Sequence, residues 1–516
     1  MVRQNKVRRG TLFKKLIRDL WGNGMQFLAM MLLCALGTWV FSGLDATWRM
    51  QERTFETYLT DQRIADFWVR SSEFCRQDIE RIRHLRGVET AQARITMELE
   101  APELEDKVTV MIHGYDGAMN INTPIIRDGE TLSTGDRRGC LVEEQFARAQ
   151  GLKTGDSLEL TVLGESRTYL IRGIVLSPEY LITARDMAPT PENYGFALMN
   201  SIALPEIPFN EVLIRAAEGA DQAEIGRAVR EMLPEALIIT RSTQYSTATA
   251  RNYVNMFRNM SYLFPVLAYF VAALVVITTL KRMMITQRIQ LGTLKSLGYT
   301  NRQIRRHYIW YALIPSGIGS AVGLSSGQYT LPDIIWPMVA TNMRTPYILR
   351  APISPLAWFM AGFEILLSVL LCISHVNRAL KESTAELLRP KPPKSGTRIL
   401  LERAGWIWER LSFNSKMIVR NLMRNKGRTM MSMVGMLFCN MLIICSFGLQ
   451  DSIPFFVREY YEGTLAYNVR VDLKAGRAGS LSSYRRRLKA ETVDGLMEIS
   501  VSFRNGEKNQ IGRAHV

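Results

Sequence analysis

Histidine is scarce in this chain: five occur in 516 residues, and His84, His113, His307, His375 and His515 are scattered without the spacing of a metal site. Cysteine is nearly as rare, with six and no C-x-x-C pair, which excludes a zinc ribbon or a dithiol redox centre. No G-x-x-x-x-G-K-[S/T] phosphate loop occurs; the nearest pattern, GLKTGDS at 151–157, has the wrong spacing. Nothing therefore marks the chain as an enzyme, and no cofactor or metal is expected. Charge is missing too, in long runs, and acids are absent from the whole of 281–306.

The uncharged runs are what is there instead. Residues 20–44, 259–280, 308–332 and 429–450 carry no charge, and 351–377 carries only Glu364. Each is long enough for the roughly 20 residues of helix that cross a hydrocarbon core. A signal peptide would account for the first alone, and that run has no small-residue cleavage site. The Gly- and Ser-rich third run, with IPSGIGSAVGLSSG at 314–327, favours close helix packing. The reading is a multi-pass membrane α-helical bundle of five transmembrane helices with an extracytoplasmic α+β domain.

Orientation follows from the basic residues, which stay on the cytoplasmic side of short loops. Residues 1–24, 281–306 and 378–428 together carry +22 against +16 for the whole chain, so the remainder sums to −6. That asymmetry is a topology signal and not a nucleic-acid footprint. It gives a cytoplasmic amphipathic helix at 1–24, membrane helices at 25–44, 259–280, 308–332, 351–377 and 429–450, and cytoplasmic segments at 281–307 and 378–428. Residues 45–258, 333–350 and 451–510 then lie outside, in the plasma membrane of a bacterial cell.

The external segment alternates strand and helix patterns. ADFWVR (65–70) reads as a strand, followed by a charged amphipathic stretch closing at Gly87; RITMELE, KVTVMIHGYD, SLELTVLG and SRTYLIRGIVLS read as further strands. The helix EEQFARAQ and the turn GLKTGD resemble the MacB-type periplasmic core domain, with Phe146, Ala147, Gly151, Leu152, Gly155, Asp156, Arg172, Gly173 and Ile174 in step with that family's pattern. Cys75 and Cys140 share this segment, in a compartment that permits a disulfide.

Between the second and third runs stands QRIQLGTLKSLGYTNRQIRRH (287–307). Ile289, Leu291, Leu294 and Leu297 give a short helix an apolar stripe, and Gly298 is placed to end it in the left-handed conformation. Thr300 and Gln303 form a capping box for a second helix, with Tyr299 and Ile304 at the staple positions. This segment resembles the first cytoplasmic loop of the FtsX-like permeases, membrane subunits of MacB-type (type VII) ABC systems, in Arg288, Gly292, Leu294, Lys295, Leu297, Gly298 and Gln303-Ile304. It departs from them at Gln290-Leu291, where the family has an acid and isoleucine, and at Ser296.

The resemblance implies that Arg288, Gln290, Leu291, Gly292, Leu294, Lys295, Leu297, Gly298 and Gln303 dock on a separate cytoplasmic ABC ATPase. It further implies a dimeric or pseudo-dimeric transporter in the lipid bilayer, which exports or extracts a lipid, peptide or antibiotic-like substrate. A transmembrane regulator of cell-wall hydrolases and a sensory permease for antimicrobial peptides are the alternatives.

Residues 378–452 resemble the inter-repeat linker of long Gram-positive members, with proline-rich KPPKSG and a membrane-surface Trp406-Ile407-Trp408 cluster. KLIRDLWGN (15–23) aligns with MIVRNLMRN (417–425), so a second half begins there and its external part opens with AYNVRVDLKAG (466–476). The terminal IGRAHV (511–516) resembles a translated sequencing adapter, and the repeat implies on the order of 250 further residues. Glu364, alone inside a membrane run, is open to two readings, proton coupling and hydrogen-bonded packing.

Overall fold

The computed structural model describes residues 2–104, 108–182, 191–388, 412–424, 426–459, 481–489, 498–505 and 508–515. The chain divides into two units, Met1–Thr397 and Arg398–Val516. In the first, α1 (Val2–Gly22) leads into α2 (Gly24–Asp61). That helix does not stop where its apolar run ends at 44: the continuation over 45–61 adds about 25 Å. It persists because Met50, Thr54, Phe55, Tyr58 and Leu59 are buried at helical spacing, while Glu52, Arg53 and Glu56 take the outer side.

A mixed ten-stranded sheet follows. Its strands are β1 (Phe67–Arg70), β2 (Val88–Glu100), β3 (Thr109–Tyr115), β4 (Ile125–Gly129), β5 (Gly139–Glu143), β6 (Ser157–Val162), β7 (Glu165–Leu176), β8 (Tyr194–Asn200), β9 (Glu211–Ala216) and β10 (Leu237–Thr240). Their order is β10-β1-β9-β2-β3-β8-β5-β7-β4, with β6 against β7; the pairs β3/β8 and β5/β7 are parallel. Strand alternation sets the two faces of β1. Phe67 and Val69 pack with Ile79 and Ile82 of α3 (Arg76–Arg83) and Ile225 and Val229 of α5 (Gln222–Met232). Trp68 points the other way. The short α4 (Glu144–Gln150) brings Phe146 and Ala147 into the core of β5 to β8 and ends at Gly151, whose φ is +69°.

The other face of the sheet sits on helix ends. Two further long helices, α6 (Tyr245–Thr286) and α8 (Asn301–Asn342), extend past their apolar runs as α2 does. Tyr58 and Leu59 of α2, Val254 and Phe257 of α6 and Val339 of α8 share one core with Trp68, Leu141, Val175, Phe196 and Leu213 of the sheet. The sheet domain is thus packed directly on the helices that enter the apolar runs. Cys140 is buried in β5 and Cys75 is exposed at the start of α3; both are free thiols, so no disulfide joins them.

Among the described residues three helices are long and apolar enough to cross a membrane: α2, α6 and α9 (Pro355–Leu380). The third run lies in α8, whose glycines and serines lower its mean hydropathy and serve another purpose. At Gly319, Gly323 and Gly327 a Cβ atom would stand 2.4, 2.3 and 2.5 Å from the backbone oxygens of Met31, Ala35 and Trp39 on α2. Ser42 Oγ donates across the same seam to the Leu324 carbonyl at 2.9 Å.

In the second unit α11 (Phe413–Arg424) precedes α12 (Lys426–Glu459), which contains the fifth apolar run. Helix α13 (Leu481–Leu488) and an antiparallel pair, β11 (Glu498–Asn505) and β12 (Lys508–His515), follow. KPPKSG, Trp406-Ile407-Trp408 and AYNVRVDLKAG lie outside the described residues.

Candidate coupling site

The loop between α6 and α8 folds as a hairpin of two helices. Helix α7 (Arg288–Ser296) ends at Gly298, whose φ of +80° is the left-handed conformation that glycine adopts without strain. Tyr299 N–H donates to the Leu294 carbonyl at 3.1 Å and Gly298 N–H to the Lys295 carbonyl at 3.0 Å, a Schellman closure. Thr300 then caps α8 in a reciprocal box with Gln303, and Tyr299 packs into the core that holds Ile304. Consecutive closures fix the angle between the two helices. Gly298→Val, which forces a β-branched residue into that conformation, is expected to cost about 1–2 kcal/mol and to lower the thermal unfolding midpoint of the full chain.

The apolar residues of α7 do not form one stripe. Leu291 is fully buried and Leu294 nearly so, beside Tyr308 and Tyr311 of α8 and Val376 and Leu380 of α9. Ile289 and Leu297 are 57% and 61% exposed: Ile289 lies about 200° round the helix from Leu291, and Leu297 is the C-cap, just past the last helical residue. The expected single face is therefore two faces, with Ile289, Gln290, Thr293 and Leu297 outward. Gly292 faces inward: a Cβ there would stand 3.1 Å from Leu387 and Leu388.

The two cations of α7 are used within the chain. Arg288 Nη2 donates to Glu382 Oε2 at 2.6 Å and to the Glu386 carbonyl at 2.8 Å. Lys295 Nζ donates to the carbonyls of Leu380 and Glu382, both at 2.9 Å, and so caps the last turn of α9. Between these contacts sits α10 (Thr384–Leu388), whose Leu387 is buried in the hairpin core. The sequence reading missed this helix, although Ser383 and Glu386 form the S-x-x-E capping box that announces one.

A second anchor lies on α1. Asp19 accepts from Lys15, from Tyr311 Oη at 2.7 Å and from Gln287 Nε2 at 3.4 Å, joining the N-terminal helix to both arms of the hairpin. Burial pushes its carboxyl up, but Lys15 and the Tyr311 hydroxyl outweigh it and hold Asp19 below the usual carboxylate range. Its signal in the sequence is that it is the one acid among the seven bases of the first 24 residues.

Residues 262–384, which span α6 from its apolar run through the hairpin, α8 and α9, match the FtsX-like permease C-terminal family. The chain carries an FtsX-like permease domain. Its hairpin and the glycine seam of α8 both fall inside that match. The sheet domain is similar to the extracellular domain of the noncanonical ABC-type transporter YknZ from Gram-positive bacteria, at 14% identity and TM-score 0.24 over 33% of this chain and 90% of that one. It is also similar to the periplasmic region of MacB from Actinobacillus actinomycetemcomitans, at 7% identity and TM-score 0.25 over 37% of this chain and 92% of that one. No curated protein matches the chain.

Proposed function

We propose that this chain is the membrane subunit of an ABC transport complex, which carries ATP-driven motion from a separate cytoplasmic ATPase to its extracytoplasmic domain. The observation that carries this reading is the outward face of the hairpin. Ile289 and Leu297 stand exposed on a short helix held at both ends and from behind, with Arg288 and Lys295 turned inward as braces. An apolar knob on a stiff mount is suited to receive force. Gln290, Thr293, Gly298 and Gln303 complete the rim that a partner groove would meet, whereas Leu291, Gly292 and Leu294 hold the knob in place.

From the hairpin, α6 and α8 each continue as one helix to the core beneath the sheet, so movement of their inner ends reaches the external domain along them. In this reading five helices of the chain cross the bilayer, the N-terminus is cytoplasmic, and α11 and α12 open a second half built like α1 and α2. ATP hydrolysis belongs to the partner. The substrate handled outside is a lipid, peptide or antibiotic-like molecule.

The double variant Ile289→Asp/Leu297→Asp tests the assignment. It should reduce co-purification of the cytoplasmic ABC ATPase captured with the wild-type chain by about tenfold or more, since losing a buried apolar anchor costs about 2 kcal/mol at an interface. The thermal midpoint of the chain itself should stay unchanged, because both residues are exposed. Undiminished ATPase capture would sink the reading.

A further inference from the structure

Inside the helix bundle Glu364 of α9 is 3% exposed, about 14 Å along the helix from its start at Pro355. Thr38 of α2 lies with Oγ1 2.5 Å from Glu364 Oε2, and Ser320 of α8 with Oγ 3.1 Å from the same oxygen. Gly37 makes the room: a Cβ there would stand 3.3 Å from Glu364 Oε1 and 3.3 Å from the ring of Tyr269 on α6. Glu364 Oε1 and Tyr269 Oη are both buried without a hydrogen-bond partner. The titratable groups facing the carboxyl are Cys34 of α2 and Tyr269 of α6; α8 presents Ser320 and α9 itself Ser368. Among the described residues no lysine or arginine pairs with it.

Counting hydrogens favours one state of this cluster. Thr38 Oγ1 lies 2.5 Å from Glu364 Oε2 and 3.1 Å from the Cys34 carbonyl oxygen. A carbonyl and an ionised carboxylate only accept, and a threonine hydroxyl has one hydrogen to give. With Glu364 ionised, one of the two contacts brings lone pairs together with no hydrogen between them. One added proton completes the chain: Glu364 O–H donates to Thr38 Oγ1, and Thr38 O–H donates to the Cys34 carbonyl. The unpartnered Oε1 points the same way, since an orphan oxygen of a neutral acid is far less costly in an apolar interior than that of an anion.

We propose that Glu364 is a proton-binding site, whose carboxyl holds a proton at Oε2 while α2, α8 and α9 are packed as here and releases it when they part. The partners of that oxygen come from two other helices, so moving α9 away from either removes a contact and admits water. Packing of the bundle is then linked to proton uptake, with acid favouring the packed arrangement and alkali the parted one. The inference is independent of how the hairpin meets its partner.

Infrared difference spectroscopy on the full chain in lipid vesicles tests it. Wild type minus Glu364→Gln should show the C=O stretch of a protonated carboxyl at neutral pH, far above the ordinary glutamate pKa of about 4.3. Glu364→Gln should fold, because its amide also supplies a hydrogen to Thr38. Thr38→Val removes the acceptor and should move the same band to higher frequency while the acid stays protonated. Carboxylate bands in place of the C=O band at neutral pH, or a C=O band indifferent to Thr38→Val, would overturn the proposal.

Discussion

Gly323→Leu is expected to leave almost no folded protein in the membrane. The seam between α2 and α8 has no side chain on the α8 side at Gly319, Gly323 and Gly327, and the backbones close to contact. A Cβ at Gly323 would lie 2.3 Å from the Ala35 oxygen and 3.0 Å from its carbon, and neither atom can rotate away. The helices must separate along the whole seam, losing its packing together with the Ser42 to Leu324 bond and the Trp39 Nε1 to Thr330 Oγ1 bond of 2.8 Å. Overpacking of a rigid contact costs about 1–3 kcal/mol before those losses are added. Between membrane helices packing is itself the driving force, so little compensates. Gly317→Leu is the control, because nothing lies within 4 Å of its Cβ position. The yield of monodisperse protein after detergent extraction should collapse for Gly323→Leu and hold for Gly317→Leu.

Arg94→Leu should unfold the sheet domain through a different cost, that of charges left alone. Arg94 of β2 is fully buried. It donates to Glu179 Oε1 at 2.6 Å and Oε2 at 2.7 Å, to Tyr115 Oη at 3.0 Å and to Glu211. Arg70 Nε reaches Glu211 Oε1 at 2.5 Å, and Trp68 Nε1 and Asn122 Nδ2 each reach Glu179 at 2.9 Å. Removing the arginine strands Glu179 with no cation, a loss of about 3–5 kcal/mol by the precedent of broken buried pairs. The triple variant Arg94→Leu/Glu179→Gln/Glu211→Gln should recover much of it. Hydrogen exchange on β2 and β9 in the full chain reads both outcomes; equal protection in wild type and Arg94→Leu would refute the cost.

The same cluster sets an acid limit. Burial pushes Glu211 up, but Arg94 and Arg70 outweigh it and bring it to about 2 from 4.5; Arg94 likewise overcomes burial at Glu179 and lowers it. His113, whose Nε2 lies 2.6 Å from Tyr180 Oη, is driven by burial, reinforced by Arg94, from 6.5 to about 3 and stays neutral. In each case the folded value is below the unfolded one, so the unfolded state binds more protons in the interval between them. Stability is complete above pH 6.5, declines as His113 comes into play towards 3, and declines further between 4.5 and 2 through Glu211. Circular dichroism of the full chain against pH should show this loss beginning well above the usual carboxylate range, and His113→Phe should remove its upper part.

Glu179 also explains why the cluster matters beyond stability. It stands in a single turn, Pro178–Tyr180, and its carbonyl accepts from Gln244 Nε2, the cap of α6, at 3.0 Å. Ile182 N–H donates to Ser246 Oγ at 2.9 Å, and Arg344 N–H, just past α8, donates to the Leu181 carbonyl at 2.8 Å. One turn therefore ties the charged centre of the sheet to the ends of two long helices. No pattern in the sequence announces this, since Arg94, Glu179 and Glu211 are far apart in the chain and each looks like an ordinary surface charge.

Legibility followed the range of the interaction. The corner at Gly298, the box of Thr300 and Gln303 and the turn at Gly151 depend on neighbours within a few residues, and the sequence displays them. The strands at 67–70, 157–162 and 165–176 show through their alternation or β-branched content. The polar continuations of α2 and α6 do not show, because their buried residues are interleaved with exposed charges and look like loop until a sheet is packed against them. The roles of Arg288 and Lys295 were concealed for the same reason: whether a cation faces a partner protein or the end of its own α9 depends on where α9 finishes.

By itself the sequence determined which runs avoid water, where the basic residues gather and where a rigid corner must form, since hydropathy, charge and capping are properties of short segments. Tertiary structure alone decided that the glycines of α8 admit α2, that Ile289 and Leu297 point outward while Leu291 and Leu294 do not, and that Thr38, Ser320 and Glu364 meet around one oxygen. Those are contacts between residues as far as 326 positions apart, and only the closing of the bundle brings them within reach.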